Sequence, residues 1–324
     1  MDHKKITLIL SLVLLALSAH TVSAQTWPNK PVKIVSGLGA GSSMDLVART
    51  IAPVLSEMWG QPVVIENRTG AAGNIAAGMV ANASADSGYT LLIAQNAIAI
   101  SASLYPKLSY SLTKDLKPIS QLTAMPHVVV INPNLPVKNL SEFIQYVKEK
   151  PNQYNFSSAG IGNADHMAAE LLDAKTGMAM VNVPFPGGAQ AMNAVIAGDT
   201  QMYLPGLPVS LPQIKANKVR PLAVTSPKRV ASLPDVATVT ELGYPGATTV
   251  LWYGLFAPAN IPDSLAKKIA ADVNKALNSP ELQSKLGGNG LDLIGSTPEA
   301  FKVFVNSEID LWAQVVKTKN LRPE

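Results

Sequence analysis

A chain of 324 residues is long enough for about two domains. Hydrophobic residues make up 47% of it, which excludes intrinsic disorder, and its 26 basic residues are dispersed among 22 acidic ones, which argues against nucleic acid as a partner. Cysteine is absent, so disulfide scaffolds, thiolate zinc sites, iron–sulfur clusters and thiol nucleophiles are excluded together.

Lys4 and Lys5 precede an apolar run at 6–17 that is shorter than the roughly 20 residues a bilayer span needs. Val22-Ser23-Ala24 then places small residues where a signal peptidase reads them. Residues 1–24 are therefore expected to be a secretory signal cleaved after Ala24. No later stretch is long and apolar enough to span a membrane, and no cysteine follows to carry a lipid. The remainder is expected to be exported and soluble.

In chain order, Pro31-Val32-Lys33-Ile34-Val35 is a β-rich run, followed by a glycine–serine loop at 37–43. Residues 44–58 carry Leu46, Val47, Ile51, Val54 and Leu55 at helical spacing, with Pro53 expected to kink or break the helix. A strand at 63–65 leads into a glycine-rich turn at 70–73, a helix of small residues to about 83 and a third strand at 89–94. The pattern restarts near His127 with a strand at 128–131 and a helix capped by Ser141 that runs to about 150. A strand at 154–158, a loop at 159–163 and a helix to about 176 follow. Segments 180–183, 187–197, 202–204, 207–216 and 221–225 continue the alternation. A strand at 250–257 leaves this unit. Helices at 264–277, 280–286 and 298–317 close the chain, the last started by Thr297 before Pro298.

Strands alternating with helices imply an α/β fold with helices on both faces of each sheet. The first unit has only three clear strands, so the tail is expected to complete it. This gives a discontinuous domain of 25–124 plus 250–324 and an inserted domain of 125–249. Two α/β units joined by hinges near 123–125 and 250–252 would close on a ligand between them.

Two loops carry the candidate chemistry. Gly37-Leu38-Gly39-Ala40-Gly41-Ser42, with Glu66 at the end of the next strand, approaches the dinucleotide fingerprint but ends in serine. What remains is a helix start with backbone N–H groups and hydroxyls, which suits an anion. From this loop alone, an anion site and a plainly capped helix are equal readings. Ser157-Ser158-Ala159-Gly160-Ile161-Gly162-Asn163 repeats the arrangement in the second unit. Two such loops facing one cleft favour carboxylate binding. Catalytic groups are sparse: beyond the signal only His127 and His166 remain, and His166 reads better as a packed or capping side chain. Trp252 and Tyr253 read as core or hinge packing.

Several segments together resemble one family. Ile65-Glu66-Asn67-Arg68-Thr69-Gly70-Ala71-Ala72-Gly73-Asn74-Ile75, Asp86-Ser87-Gly88-Tyr89-Thr90-Leu91-Leu92 and Ser103-Leu104-Tyr105 carry the first part of the likeness. Val183-Pro184-Phe185-Pro186-Gly187-Gly188-Ala189 and Gly243-Tyr244-Pro245-Gly246, followed by Trp252-Tyr253-Gly254-Leu255-Phe256-Ala257-Pro258, carry the rest. In order and spacing these resemble the extracytoplasmic solute receptors of tripartite tricarboxylate transporters, the Bug-type binding proteins.

The resemblance implies a two-domain architecture of the type II-like periplasmic binding proteins, each domain a mixed, mostly parallel sheet flanked by helices. It implies a monomeric periplasmic receptor that holds a small organic carboxylate, partly through ordered waters, and serves a membrane permease with no cofactor or metal. Carried over, the ligand-binding positions are Gly41, Ser42, Ser43 and Asp45, then Ser158, Gly160, Gly162, Asn163 and His166, with Gly187 and Gly188 beside them. Asn96 is expected to add a polar contact from the first domain. Ser42 stands where the family commonly has a second glycine, and Pro205 where many members have aspartate. Pro205 cannot answer an ammonium, and Leu204, Leu207, Pro208 and Phe185 offer apolar surface, so an acid with an apolar or aromatic body, mono- or dicarboxylate, is expected over an amino acid. The competing class is an exported hydrolase using Ser42 or Ser158, which lacks a local base.

Overall fold

The structure is a computed structural model that describes residues 27–83, 88–287 and 290–323; the expected signal and its cleavage point lie outside the described residues. Short apolar runs bounded by glycine turns make the first strands. β1 (Val32–Ser36) lies in parallel between β2 (Val63–Asn67) and β3 (Thr90–Gln95), with α1 (Ser43–Trp59) and α2 (Asn74–Ala81) as crossovers. β3 is buried along its whole length, as a strand covered on both faces must be. α3 (Ala97–Leu104) and α4 (Leu112–Asp115) follow, and β4 (Leu116–Pro126) leads out of this sheet.

Beyond His127 the chain builds a second sheet. β5 (Val128–Ile131), α5 (Leu140–Lys148), β6 (Asn155–Ser158) and α6 (Ala164–Thr176) come first. β7 (Val181–Pro184), α7 (Gly188–Ala197), β8 (Met202–Tyr203), α8 (Leu207–Lys215) and β9 (Arg220–Val224) complete it in the order β7-β6-β8-β5-β9. β6 runs parallel to β7 and β8, whereas β5 is antiparallel to β8 and β9. The chain then returns. β10 (Val250–Pro258) inserts antiparallel between β3 and β4, and after α9 (Asp263–Leu277) and α10 (Pro280–Leu282), β11 (Asp292–Leu293) pairs with the outer edge of β4. The first sheet thus reads β11-β4-β10-β3-β1-β2, and α11 (Pro298–Thr318) packs on it last. The α/β class with two mixed sheets is what the sequence led us to expect.

Period-2 alternation sorts the core. Ile34, Leu91, Ile93 and Leu255 face α1 and α9, meeting Val47, Ile51, Ile269 and Val273. Val35, Leu92, Trp252 and Phe256 face the other way, against α2, α3 and α11, where Phe301 and Trp312 are fully buried. The second sheet divides likewise, with Val129 and Ile131 on one face and Val128 and Val130 on the other.

Some local expectations are corrected. Pro53 does not break α1, which runs unbroken to Trp59. Pro53 and Arg49 both lie exposed, so the carbonyl that loses its intrahelical donor stands where water reaches it. The cap of α5 is Asn139, whose side chain accepts from the Glu142 amide, and not Ser141. The expected helix at 280–286 starts as α10 and continues as a π-helix, Gln283–Gly287. Thr297 caps α11 as expected, its hydroxyl accepting from the Ala300 amide at 3.1 Å.

The chain passes between the sheets at two adjacent places. Thr225 ties them: its Oγ1 accepts from the His127 amide at 3.0 Å, its own amide donates to the His127 carbonyl at 3.0 Å, and its carbonyl accepts from the Thr249 amide at 3.0 Å. One step further on, Pro126, Met125 and Ala124 pair with Val250, Leu251 and Trp252.

A buried carboxylate fixes the returning strand. Glu308 of α11 accepts from Trp252 Nε1 at 2.7 Å, Trp312 Nε1 at 3.0 Å and Asn96 Nδ2 at 2.9 Å. Burial pushes its carboxyl above the ordinary carboxylate range, against the pull of those three bonds. Each donor left without an acceptor in this core would cost about 1–3 kcal/mol. Glu308→Ala should therefore lower the unfolding free energy by about 3 kcal/mol or more in urea titration, and a change below about 1 kcal/mol would show that the three donors find other partners.

Candidate functional site

The first loop ends in a tightly bonded helix start. Ser42 is the cap of α1, its Oγ accepting from the Asp45 amide at 3.2 Å. Gly37 lies so near the Gly73 backbone that a Cβ would sit 2.7 Å from its Cα, which is why this loop is built from glycine. Gly41 adopts a φ of +81°, and its amide donates to Asp45 Oδ2 at 2.9 Å. Asp45 also accepts from Arg49 Nε and Asn67 Nδ2, each at 2.9 Å. Burial pushes the Asp45 carboxyl up, but Arg49, the Gly41 amide and Asn67 outweigh it and hold it below the ordinary range. Asp45, read from sequence as a ligand contact, is a brace for the loop. The Ser43 side chain bonds the buried Tyr253 hydroxyl.

The second loop follows the same plan. Asn163 caps α6, its Oδ1 accepting from the Ala164 amide at 2.8 Å. Asp165 reaches back to the Ala159 amide at 2.8 Å, and also takes the His166 amide at 2.9 Å and the Tyr203 side chain. Burial pushes the Asp165 carboxyl up despite these bonds, and pushes the Tyr203 hydroxyl well up, with the Asp165 charge adding to it. Gly160 and Gly162 take φ of +119° and +75°. Ser158 is fully buried at the end of β6, and its Oγ has no hydrogen-bond partner among the described residues.

His166 supports this loop from behind. Its Nδ1 accepts from the Gly162 amide at 3.2 Å, and its Nε2 lies 3.6 Å from Glu170 Oε1. Lys319, just past α11, pairs with Glu170 Oε2 at 3.3 Å and with Asp173. His166 is packed, the reading the sequence favoured over catalysis, and although it was also expected among the ligand-binding positions it is not one of the residues that line the cavity described next.

The two loops meet at a cavity of about 120 Å³ between the sheets. Leu38 comes from the first loop and Gln95 from the end of β3; Ala159 and Asn163 from the second loop and Asp165 from the first turn of α6; and Tyr203, Pro205 and Val209 from the opposite wall. His127 and Leu251 line it where the chain crosses. Gln95 Nε2 donates to Asn163 Oδ1 at 3.2 Å, a direct bond across the cleft. Larger cavities of about 340 and 630 Å³ lie elsewhere, one beside Lys117 and Lys267 and one behind the crossing beside Arg229 and Leu291, and neither is lined by the two loops.

Of the residues expected from sequence, Asn163 and Pro205 line this cavity. Gly41, Ser42 and Ser43 at the start of α1, and Ser158, Gly160 and Gly162 between the end of β6 and α6, are not among its lining residues. Gly187 and Gly188 start α7 behind Tyr203, where a Cβ on Gly188 would be 3.1 Å from the hydroxyl. Asn96 is not brought to the cavity. It is fully buried, with Nδ2 on the Val250 carbonyl and Glu308, and Oδ1 accepting from the Trp252 amide at 3.0 Å. The strand-end residue that does reach across is its neighbour Gln95, since successive side chains leave a strand on opposite sides. Trp252 and Tyr253 are core packing. Gln95, His127, Asp165 and Tyr203 were missed as site residues. A polar residue ending a parallel strand was a usable signal for Gln95.

A family model described as "Tripartite tricarboxylate transporter family receptor" matches residues 47–321. The chain belongs to the tripartite tricarboxylate transporter receptor family. Protein BugT of Bordetella pertussis is 32% identical over 301 residues, covering 92% of each chain. Rpa4515 of R. palustris, solved with adipate, superposes with a TM-score of 0.82 at 32% identity over 92% of this chain and 100% of its own. MatC (Rpa3494) from Rhodopseudomonas palustris, solved with bound malate, gives 0.79 at 32% identity over 90% and 100%.

The brace in the second loop makes a prediction for this receptor. Asp165→Ala strips the acceptor from the Ala159 amide in the loop, the His166 amide in the first turn of α6 and the Tyr203 hydroxyl, and orphaned buried groups cost about 1–3 kcal/mol each. Urea unfolding should show a loss of about 2–4 kcal/mol; an unchanged midpoint would mean the carboxylate does not hold the loop.

Proposed function

We propose that the chain is an exported periplasmic receptor that captures a small organic carboxylate in the cleft and delivers it to the membrane permease of a tripartite tricarboxylate transporter. The observation that carries this reading is the meeting of two helix-start loops, one from each sheet, at a single cavity. Helix N-termini present backbone N–H groups and a favourable dipole to an anion. The relatives solved with adipate and malate support a carboxylate as the ligand class. The family description supports the permease as the recipient.

In this reading one carboxylate lies between Gly41, Ser42 and Ser43 on one side and Ser158, Gly160 and Asn163 on the other, and it exchanges for the Gln95–Asn163 bond. Residues 1–24 serve as the export signal. Residues 25–124 with 250–324 form one domain and 125–249 the other, turning on the paired segments of β4 and β10. Pro205 offers no partner to an ammonium, and Leu38, Val209 and Leu251 add apolar wall, so the body of the ligand is apolar. The hydrolase alternative gains no support: Ser42 Oγ is spent on a helix cap, and no imidazole bonds to Ser42 or Ser158 among the described residues.

A thermal-shift panel of organic acids tests the assignment. An acid at about 100 times its Kd should stabilise the protein by about 2.7 kcal/mol. No response to any acid would overturn carboxylate capture, and a response to aspartate or glutamate alone would overturn the apolar preference. Closure has its own check. Small-angle scattering should show compaction when the best acid from that panel saturates the protein, and identical profiles before and after would count against hinge motion.

A further inference from the structure

The helix that carries the second loop belongs to both halves of the protein. Ala168, Ala169 and Leu172 of α6 are buried in the core of the second sheet. Met167 and Leu171 are buried instead in the cluster that holds Leu104, Trp312 and Val315 of the first. Leu104 also stands where a Cβ on Gly162 would meet it at 2.6 Å, so the end of α3 packs against the second loop.

The same seam carries a cluster of ions. Lys319 comes from the first half, just past α11, while Glu170 and Asp173 come from α6. The amine pairs with Glu170 Oε2 at 3.3 Å and with Asp173, and the two carboxylate side chains are only 7% and 2% exposed, too little for water to compensate them. Asp173 is tied into its own half, its Oδ1 accepting from the Met180 amide at 3.1 Å. Burial works against the Lys319 charge, but Asp173 and Glu170 outweigh it and hold the amine above its ordinary pKa. None of the three residues lines the cavity. The loops touch across the cleft through Gln95 and Asn163, so the arrangement described is the closed one, and in it a long flexible side chain of one half reaches two buried acids of the other.

We propose that Lys319 is the positioning residue that keeps the two halves together over a captured acid, its ion pairs made on closure and given up on opening, so that it sets how firmly the acid is retained without touching it. The inference rests on the receptor reading above and adds what tunes the affinity of that same site. When one arrangement alone holds the ligand, the apparent affinity is scaled by the fraction of protein in that arrangement. A contact that favours closure therefore raises affinity from a distance, and because it acts after capture it does so by slowing release.

The test uses the full exported chain, with straight-chain monocarboxylates from propionate to octanoate and dicarboxylates from malonate to suberate as probes. Lys319→Met, which keeps the stem and removes the charge, should weaken the tightest-binding probe about tenfold, mainly through faster release. Lys319→Arg, which keeps the charge, should bind as the parent protein does. Equal affinity for the parent and Lys319→Met is what a role in packing alone would give, and it would overturn the proposal. A second measurement needs no variant. Once the protein is saturated with that probe, the Lys319 amine should react with an N-hydroxysuccinimide ester about tenfold more slowly, read by peptide mass spectrometry, while exposed Lys215 and Lys302 keep their rates. Unchanged labelling of Lys319 on saturation would overturn the proposal even if the variant fails to fold. Protein that binds none of these acids would overturn the receptor reading and the role of Lys319 with it. Tight binding with neither effect would overturn the role of Lys319 alone.

Discussion

β10 lies antiparallel against β4 along its whole length, and everything between the two sheets depends on that pairing. The chain leaves the first sheet on one of these strands and re-enters it on the other, so both connections run side by side. Thr225 joins them at the crossing through three backbone-directed bonds. Asn96 and Glu308 then pin β10 from the first sheet's side, where Trp252 fills the core. A ladder of main-chain bonds resists shear along the strands yet permits twist about them. The same pairing thus carries both of the chain's passages between the two sheets.

The loops share one construction. Each opens a helix with a capping side chain, Ser42 or Asn163, and each places an aspartate in the first turn that folds back onto an amide of its own loop. A carboxylate buried at a helix start is well placed electrostatically, and here it is used to hold backbone. The loop is thereby shaped before any ligand arrives, which reduces the ordering that binding must pay for. The apolar residues behind each loop, Leu104 against Gly162 among them, keep the backbone from relaxing.

Local pattern made most of the fold legible. Alternating apolar runs, glycine turns and the Thr297-Pro298 start each act within a few residues, and the strands and long helices fall where those signals place them. The misreadings share a different cause. Asn96 looked like a cleft residue because it follows a strand, but its partner Glu308 lies 212 positions away in sequence. Asp45 looked like a ligand group because it stands beside a glycine loop, whereas Arg49 and Asn67 claim it. His127 read only as the start of a strand, since nothing in its neighbourhood tells that two sheets converge on its ring. Pro53 was given too much weight because its cost depends on whether the orphaned carbonyl meets water, which is a matter of tertiary placement.

Lys319 gives the cleft a second point of attachment. It follows a helix that packs on the first sheet, and it grips Glu170 and Asp173 on α6, the helix whose start forms the second loop. The β4–β10 crossing, this ionic cluster and the Gln95–Asn163 bond are thus three separate places where the halves are fastened. Parting the two sheets at the loops would give up the Gln95–Asn163 bond and the Lys319 ion pairs, all of them made by side chains, while the main-chain ladder of the crossing could stay whole.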